Sequence, residues 1–160
     1  GAEIIAEVVG FSMNSDASDL VRPSEDGAKR AIISALQDAH IDSAEIGYIN
    51  AHGTGTILND KTESLAINEV FNRLSNPPFV SSTKSLHGHL IGGAGAIELV
   101  SCLTALNVGL IPPTINFDTK DPDCDINIVA NIAVEKKVNY TLSNAFAFGG
   151  TNSVLILKKF

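Results

Sequence analysis

The residues best suited to chemistry lie together in Ser82–His89, which reads Ser-Thr-Lys-Ser-Leu-His-Gly-His. They precede the apolar segment Leu90–Asn107, in which Glu98 is the only charged residue. A helix that is apolar on every side is a buried helix, and a carboxylate inside it needs a cation or hydrogen-bond donors. Titratable groups in such surroundings are typical of catalytic sites. We therefore expect a site here, with Lys84 as the partner of Glu98.

His89 stands just before this predicted helix, and a helix N-terminus favours the neutral form of a nearby imidazole. A neutral imidazole that carries its proton on Nε2 can donate a hydrogen bond to a developing oxyanion. Taken singly, Lys84 could be a solvated lysine and His89 an ordinary helix-start residue, but their clustering favours a site. His87 is interpreted as a supporting or loop histidine.

A second candidate is His52, within the Asn-Ala-His-Gly-Thr-Gly-Thr sequence of residues 50–56. It directly follows the short apolar strand predicted for Ile46–Asn50, and open α/β sheets bind ligands at the carboxyl ends of their strands. The glycines at 53 and 55 allow a tight bend that leaves the imidazole uncovered. A turn histidine without a function is the alternative. A phosphate cradle is disfavoured because the motif lacks the lysine of a P-loop.

A third motif is Phe-Ala-Phe-Gly-Gly-Thr-Asn at residues 146–152, a glycine turn between two predicted strands. Such a turn lets a substrate approach the backbone closely, so that its N–H groups can stabilise an oxyanion. The alternative is a structural hairpin with core phenylalanines. Neither cysteine is predicted to be a nucleophile, because Cys102 lies in the apolar helix and Cys124 lies among aspartates.

Composition limits the classes of function that the chain can have. The 160 residues are 44% hydrophobic and 18% charged, which predicts a single globular domain over residues 1–160. A net charge of −7 argues against nucleic-acid binding. Two cysteines favour a reducing compartment, hence a cytoplasmic location, and polar residues within Leu90–Val108 indicate a core helix instead of a membrane span. A strand at the very start is typical of a chain cut from a longer protein.

The hydrophobic periodicity predicts strands that alternate with helices and then antiparallel strands. The predicted strands are Ile4–Val9, with an extension to Ser12 left open, Ile46–Asn50, Phe79–Ser81, Ile126–Ala130, Val134–Leu142 and Ser153–Leu157. The predicted helices are Glu25–Ala39, one that starts near Asp60, and Leu90–Asn107. Residues 14–24 are predicted to be a loop, and Asp60 with Glu63 resembles a capping box. This order predicts an α/β domain with a mixed sheet layered with helices.

Taken together, residues 50–56, 82–89 and 144–152 resemble the β-ketoacyl-acyl carrier protein synthases. The resemblance covers essentially the whole chain but only the C-terminal half of that family's proteins. It implies a thiolase-like fold, in which two similar halves stack as α-β-α-β-α layers. It also implies a decarboxylative Claisen condensation in fatty-acid or related polyketide-type biosynthesis.

The resemblance also implies a role for each matching residue. His52 and His89 are the two catalytic histidines that hold the malonyl thioester carbonyl and stabilise the enolate. Lys84 orients this cluster with Glu98 as its partner, and Phe148 is the gating residue whose N–H contributes to the oxyanion hole. The matching positions for a structural cation are Asn50, Glu98, Ser143 and Asn152.

The nucleophilic cysteine of the family belongs to the N-terminal half, so we expect the isolated chain to be inactive. No cofactor is implied. The implied partners are acyl carrier protein, acyl and malonyl thioesters, the N-terminal half and a second copy in a homodimer. Because acyl carrier protein is acidic like this chain, its docking patch would come mostly from the N-terminal half or the second copy.

Two other classes of protein compete with a condensing enzyme. A chain-length-factor-like partner would only shape the acyl tunnel, but such partners tend to lose the histidines and the lysine. A degradative thiolase would carry a second cysteine near the position of Phe148. His87 and Ala147 differ from the commonest housekeeping pattern and resemble specialised nodulation or aryl-polyene ketosynthases.

Overall fold

The computed structural model of the chain describes residues 1–17, 19, 23–71 and 73–160. The strands are β1 (Ala6–Ser15), β2 (Ile46–Asn50), β3 (Phe79–Ser81), β4 (Leu110–Ile111), β5 (Val134–Glu135), β6 (Tyr140–Ala147) and β7 (Thr151–Lys159). The helices are α1 (Glu25–Ala39), α2 (Ile57–Phe71), the single turn α3 (Lys84–His87) and α4 (Ala94–Val108).

The main sheet has the strand order β1-β7-β6-β2-β3. Strand β2 pairs in parallel with both β3 and β6, whereas β7 pairs antiparallel with both β6 and β1. Strands β4 and β5 form a separate two-stranded ribbon. This pairing confirms the predicted mixed sheet. Helices separate the early strands, which allows them to pair in parallel, and a tight turn joins the last two strands, which makes them antiparallel.

The sheet lies between two layers of helices. Helices α1 and α2 pack on one face, over an apolar cluster that includes Ile49 and Ile156, and α4 packs on the other face over a cluster around Tyr48 and Leu106. Helix α1 begins where the Ser24 hydroxyl accepts a hydrogen bond from the N–H of Gly27. The buried face of α1 consists of Ala28, Ala31, Ile32, Ala35 and Leu36.

Three elements have the predicted bounds, namely α1, β2 and β3. The predicted hairpin is also confirmed, with Ala147 opposite Thr151 across the glycine turn. The first strand was predicted too early: β1 starts at Ala6 and continues to Ser15, into the predicted loop. Ser18, Leu20, Val21 and Arg22 of that predicted loop lie outside the described residues.

Two of the late strand predictions were wrong. Residues 126–130 make only isolated bridges, in which Ile128 pairs with Val80 and Ala130 with Thr114. The predicted strand Val134–Leu142 is two strands, β5 and the start of β6, with residues 136–139 between them. Apolar content along an extended segment does not show where backbone pairing stops, because pairing depends on neighbours distant in sequence.

The prediction for the long helix was wrong in extent and in burial. Helix α4 begins at Ala94, after a tight turn at Ile91–Gly93, and its buried side chains include Glu98, Cys102 and Leu106. Its other face is exposed, with Val100 53% and Val108 70% accessible. By length and composition alone Ile91–Val108 could cross a membrane, a test that core helices also pass. In the structure one face of α4 lies on the sheet.

The predicted capping box was also wrong. Helix α2 begins at Ile57, so Asp60 already lies within the helix instead of capping it. Glu63 accepts hydrogen bonds from the backbone N–H groups of residues 52 and 53, which precede the helix.

Candidate active site

Two parallel strand ends place the candidate residues at one edge of the sheet. Asn50 at the end of β2 lies opposite Ser81 at the end of β3, so the segments that follow both strands emerge together. The Lys84 Nζ atom lies 2.6 Å from the carbonyl oxygen of His52 and 3.4 Å from its Nδ1 atom. His52 and Lys84 are both buried. The structure therefore brings these two candidate residues together.

Lys84 also forms the predicted ion pair with Glu98, whose side chain is fully buried. Burial raises the pKa of Glu98, while the hydrogen bond and charge of Lys84 lower it. Only Glu98 Oε1 is engaged by the lysine; among the described residues, the buried Oε2 atom has no hydrogen-bond partner. Helix α4 thus supplies the carboxylate that holds the Lys84 ammonium group beside His52.

The two candidate histidines lie edge to face, with ring centroids 5.7 Å apart and planes at 85°. Burial, followed by the charges of Lys84 and His89, lowers the pKa of His52 to about 3, so this imidazole is neutral at pH 7. The ammonium of Lys84 can only donate, which makes His52 Nδ1 an acceptor and assigns the proton to Nε2.

His89 reaches the same tautomer by a different route from the one predicted. Helix α4 begins five residues after His89, at Ala94, so its dipole does not act on the ring as expected. Instead, the N–H of Ile91 donates to His89 Nδ1 at 3.1 Å, which assigns the proton to Nε2. Ile91 holds this position with a left-handed φ of 51°, uncommon for a β-branched residue.

We expect the neutral, buried His52 to make the protein acid-sensitive. Its folded-state pKa of about 3 lies below the ordinary histidine pKa of 6.5, so between these values the unfolded chain binds a proton that the folded chain does not. Stability is therefore lost as pH falls below 6.5. Urea unfolding at pH 7 and pH 5 should show the native chain losing about 2 kcal/mol more than a His52→Gln variant. Parallel losses in the two proteins would contradict the assignment.

Glu63 is a site residue that the sequence reasoning missed. Its fully buried carboxylate accepts from the N–H groups of His52 and Gly53, each at 2.8 Å, and from Asn144 Nδ2 at 2.9 Å. Burial raises the pKa of Glu63, and these hydrogen bonds lower it. The carboxylate therefore clamps the loop that carries the His52 imidazole. The available indication was its place on the buried face of α2 with Ile67 and Phe71, four and eight residues later.

The two phenylalanines of the glycine turn have different surroundings. Phe146 packs beside His52, with ring centroids 5.6 Å apart. Phe148, the residue predicted to form the gate and an oxyanion donor, is 79% exposed at the turn between β6 and β7. The roles of Phe148 stay a prediction, whereas Phe146 is in contact with the cluster.

The four positions predicted for a structural cation do not converge. Asn50 donates to the main-chain oxygen of Glu98, and Ser143 lies opposite Asn50 in the β2–β6 pair, so these three share the α4 side of the sheet. Asn152 lies opposite Phe146, three residues beyond Ser143, and therefore faces the other side. Asn152 donates there to Asn14, Asp16 and Gly150.

The unpartnered Glu98 Oε2 is an oxygen that suits a hard cation, so Asn50, Glu98 and Ser143 fit a structural cation site. Asn152 does not fit this site, because it faces the other side of the sheet. Within the described ranges, no cluster of three or more His, Cys, Asp or Glu side chains is arranged to hold a metal ion.

The surroundings of the two cysteines agree with the prediction that neither is an activated nucleophile. Burial raises the pKa of Cys102 to about 12. Burial also raises the pKa of Cys124, with the neighbouring carboxylates as smaller causes. A thiolate nucleophile has a lowered pKa, so neither thiol supplies one.

A family model described as the C-terminal domain of beta-ketoacyl synthase matches residues 5–118. Nodulation protein E of Rhizobium meliloti is 44% identical over 159 residues, which are 99% of this chain and 40% of that protein. The 3-oxoacyl-[acyl-carrier-protein] synthase 2 of Synechocystis sp. is 44% identical over 162 residues, covering 100% of this chain and 39% of that protein. The chain thus spans about two-fifths of the length of these relatives.

Solved structures show the same similarity in three dimensions. The ishigamide ketosynthase/chain length factor has a TM-score of 0.95 and 45% identity, covering 99% of this chain and 39% of the other. A type II PKS acyl-carrier protein in complex with its ketosynthase bound to the hexaketide gives a TM-score of 0.94 and 34% identity, covering 99% and 40%. At these identities the likeness extends to the thiolase-like fold of the ketosynthases.

Proposed function

We propose, because the chain belongs to the β-ketoacyl synthase family and supplies its C-terminal domain, that it holds and polarises a malonyl thioester during a decarboxylative Claisen condensation. The observation that carries this proposal is the adjacent pair of His52 and His89. Both rings have Nδ1 engaged, which leaves Nε2–H as the donor of each ring. Two neighbouring N–H donors, one of them on the buried His52 ring, are suited to an oxygen that gains negative charge.

In the proposed reaction, the bond between the carboxylate carbon and Cα of the malonyl group breaks and CO₂ leaves. The electron pair moves to the thioester oxygen as an enolate, and the two Nε2–H groups stabilise it. The enolate carbon then attacks an acyl thioester carbonyl, forms the new C–C bond and expels a thiolate. The acyl thioester would be held by a cysteine outside these 160 residues, and the malonyl group would arrive on acyl carrier protein.

Lys84 and Glu98 do not touch the substrate in this scheme. Lys84 holds the His52 main chain and ring, and Glu98 holds Lys84. A structural cation would be held by Asn50, Glu98 and Ser143 and would supply positive charge to the Glu98 oxygen that the lysine leaves free. Phe148 would gate the entry of the acyl chain and contribute its N–H to the oxyanion hole.

The second candidate is a non-catalytic, chain-length-factor-like partner, since one similar structure is a ketosynthase/chain length factor. Retention of His52, Lys84 and His89 in one cluster, in which His52 and Lys84 are buried and His89 is exposed, favours the catalytic alternative.

A hybrid enzyme separates the two candidates. We would join this chain to the N-terminal part of the Synechocystis 3-oxoacyl-[acyl-carrier-protein] synthase 2, in place of the 39% that it matches. The hybrid should release CO₂ from malonyl carrier protein and form a ketoacyl product, and His89→Ala should lower that rate by about 100-fold or more. His40→Asn, at the exposed end of α1, is the matched histidine control. Mass spectrometry of the carrier-bound product gives the measurement.

A hybrid that folds like its parent by circular dichroism but releases no CO₂ would favour the chain-length-factor alternative. The isolated 160-residue chain should show no turnover and only weak carrier binding, and product formed by it alone would contradict the need for a second segment.

A further inference from the structure

His87 is a third histidine beside the site, and the proposed reaction does not use it. Its Nδ1 atom lies 2.8 Å from the carbonyl oxygen of Gly88, and its Nε2 atom lies 3.2 Å from the hydroxyl oxygen of Thr83. A carbonyl oxygen only accepts, so Nδ1 carries the proton. In the neutral ring Nε2 is then an acceptor, and the Thr83 hydroxyl must donate to it.

Because the Thr83 hydroxyl donates to His87, its interaction with the neighbouring Asn50 side chain is restricted. The hydroxyl oxygen of Thr83 lies 3.0 Å from Asn50 Nδ2 and 3.4 Å from Asn50 Oδ1. With its proton committed to His87, Thr83 can accept from Nδ2 but cannot donate to Oδ1. Asn50 Nδ2 also donates to the main-chain oxygen of Glu98 at 3.2 Å. Donors and acceptors therefore form one ordered chain from Asn50 through Thr83 and His87 to Gly88.

The Asn50–Thr83 part of this series of hydrogen bonds is shielded from water. Asn50 is 0% and Thr83 1% exposed, so neither can exchange partners with bulk water at no cost. If Thr83 rotated its proton toward Asn50, the oxygen of Asn50 would be occupied and the His87 ring would lose its donor. Asn50 Oδ1 faces the same side of the sheet as Glu98, where it stays available as an acceptor only while Thr83 donates to His87.

We propose that His87 is a positioning residue, which acts through the Thr83 hydroxyl to fix the orientation of the Asn50 amide beneath the Lys84–Glu98 pair. One structural result follows directly: His87 carries its proton on Nδ1, whereas His52 and His89 carry theirs on Nε2. The tautomers are independent of the proposed function. The effect on catalysis rests on it.

The first test measures the tautomers on the chain itself. In a chain labelled with ¹⁵N-histidine at pH 8, long-range ¹H–¹⁵N spectra should show His87 protonated at Nδ1, and His52 and His89 protonated at Nε2. Assignments come from His87→Gln, His52→Gln and His89→Gln. Thr83→Val should move His87 toward a mixture of tautomers, whereas Thr83→Ser should not. A native His87 ring protonated at Nε2 would overturn the proposal.

The second test is a double-mutant cycle in the hybrid enzyme. His87→Phe and Thr83→Val should each lower kcat about tenfold, consistent with one lost buried hydrogen bond, with KM unchanged. The double variant should also lose about tenfold, because both changes break the same chain. His87→Gln keeps an acceptor and should stay within about twofold of the parent. An additive, hundredfold loss in the double variant would overturn the proposal that His87 and Thr83 act through one series of hydrogen bonds. An inactive hybrid would count against the proposed function, and the tautomer result would still decide this inference.

Discussion

Lys84→Met is expected to lower the free energy of unfolding by about 3–5 kcal/mol, the cost of leaving one member of a buried ion pair without its partner. Glu98 would keep a fully buried carboxylate with no cation, and the His52 carbonyl would lose its donor. Urea unfolding followed by circular dichroism gives the measurement. Replacing both members with apolar residues, as in Lys84→Met with Glu98→Leu, should recover most of the loss, because it removes the unpaired charge.

Lys61→Met is the matched control for this change. Lys61 forms an ion pair with Asp123 in which both side chains are about half exposed, and such surface pairs contribute less than about 1 kcal/mol. An equal loss in the Lys84 and Lys61 variants would show that the Lys84–Glu98 pair is not buried as described.

Glu63→Leu is expected to cost about 3–4 kcal/mol, because it leaves three donors without an acceptor: two backbone N–H groups and the Asn144 amide. The loop that carries His52 should loosen at the same time. Hydrogen exchange at His52 and Gly53 should therefore become faster by a factor of about ten or more, measured by NMR together with urea unfolding.

Two other substitutions on α2 control for this result. Glu63→Gln keeps one carbonyl oxygen as an acceptor and should retain part of the stability. Glu69→Leu changes a half-exposed carboxylate that pairs with Lys29, so it should cost less than about 1 kcal/mol. If Glu63→Leu left the exchange of His52 and Gly53 unchanged, the clamp described here would be wrong.

The sequence predicted those parts of the fold that depend on local pattern. Helix α1 has a capping serine and an apolar stripe of helical period, and β2 is a short apolar run that ends in polar residues. The same local patterns placed His52 and Lys84 at strand ends, and two parallel strands brought them together. These predictions succeeded because neighbouring residues determine the outcome.

The failures have non-local causes. Nothing near Glu63 in sequence shows that the loop at 52–53 will present two N–H groups to it. The pattern of α4 contains no information on which side of an apolar helix meets the sheet, so its exposed face was missed. Asn152 was wrongly placed with Asn50 and Ser143 because the side of the sheet that a residue faces depends on strand register, which the motif does not contain.

The strand order also has a consequence for the way in which the chain must fold. Strand β6 starts at Tyr140, near the end of the chain, yet it lies in the middle of the sheet between β2 and β7. Strand β1 is connected to the β2–β3 pair only through β7 and β6, so both of these strands must be present before one sheet can form. The contact between Glu63 and Asn144 closes 81 residues of sequence, and such long-range closures make folding slow.

During synthesis, therefore, a ribosome-bound chain can form α1, α2 and the β2–β3 pair, but it cannot join them into one sheet before its last two strands emerge. The early apolar segments stay exposed until β6 and β7 are available, and exposed apolar segments of this kind favour aggregation.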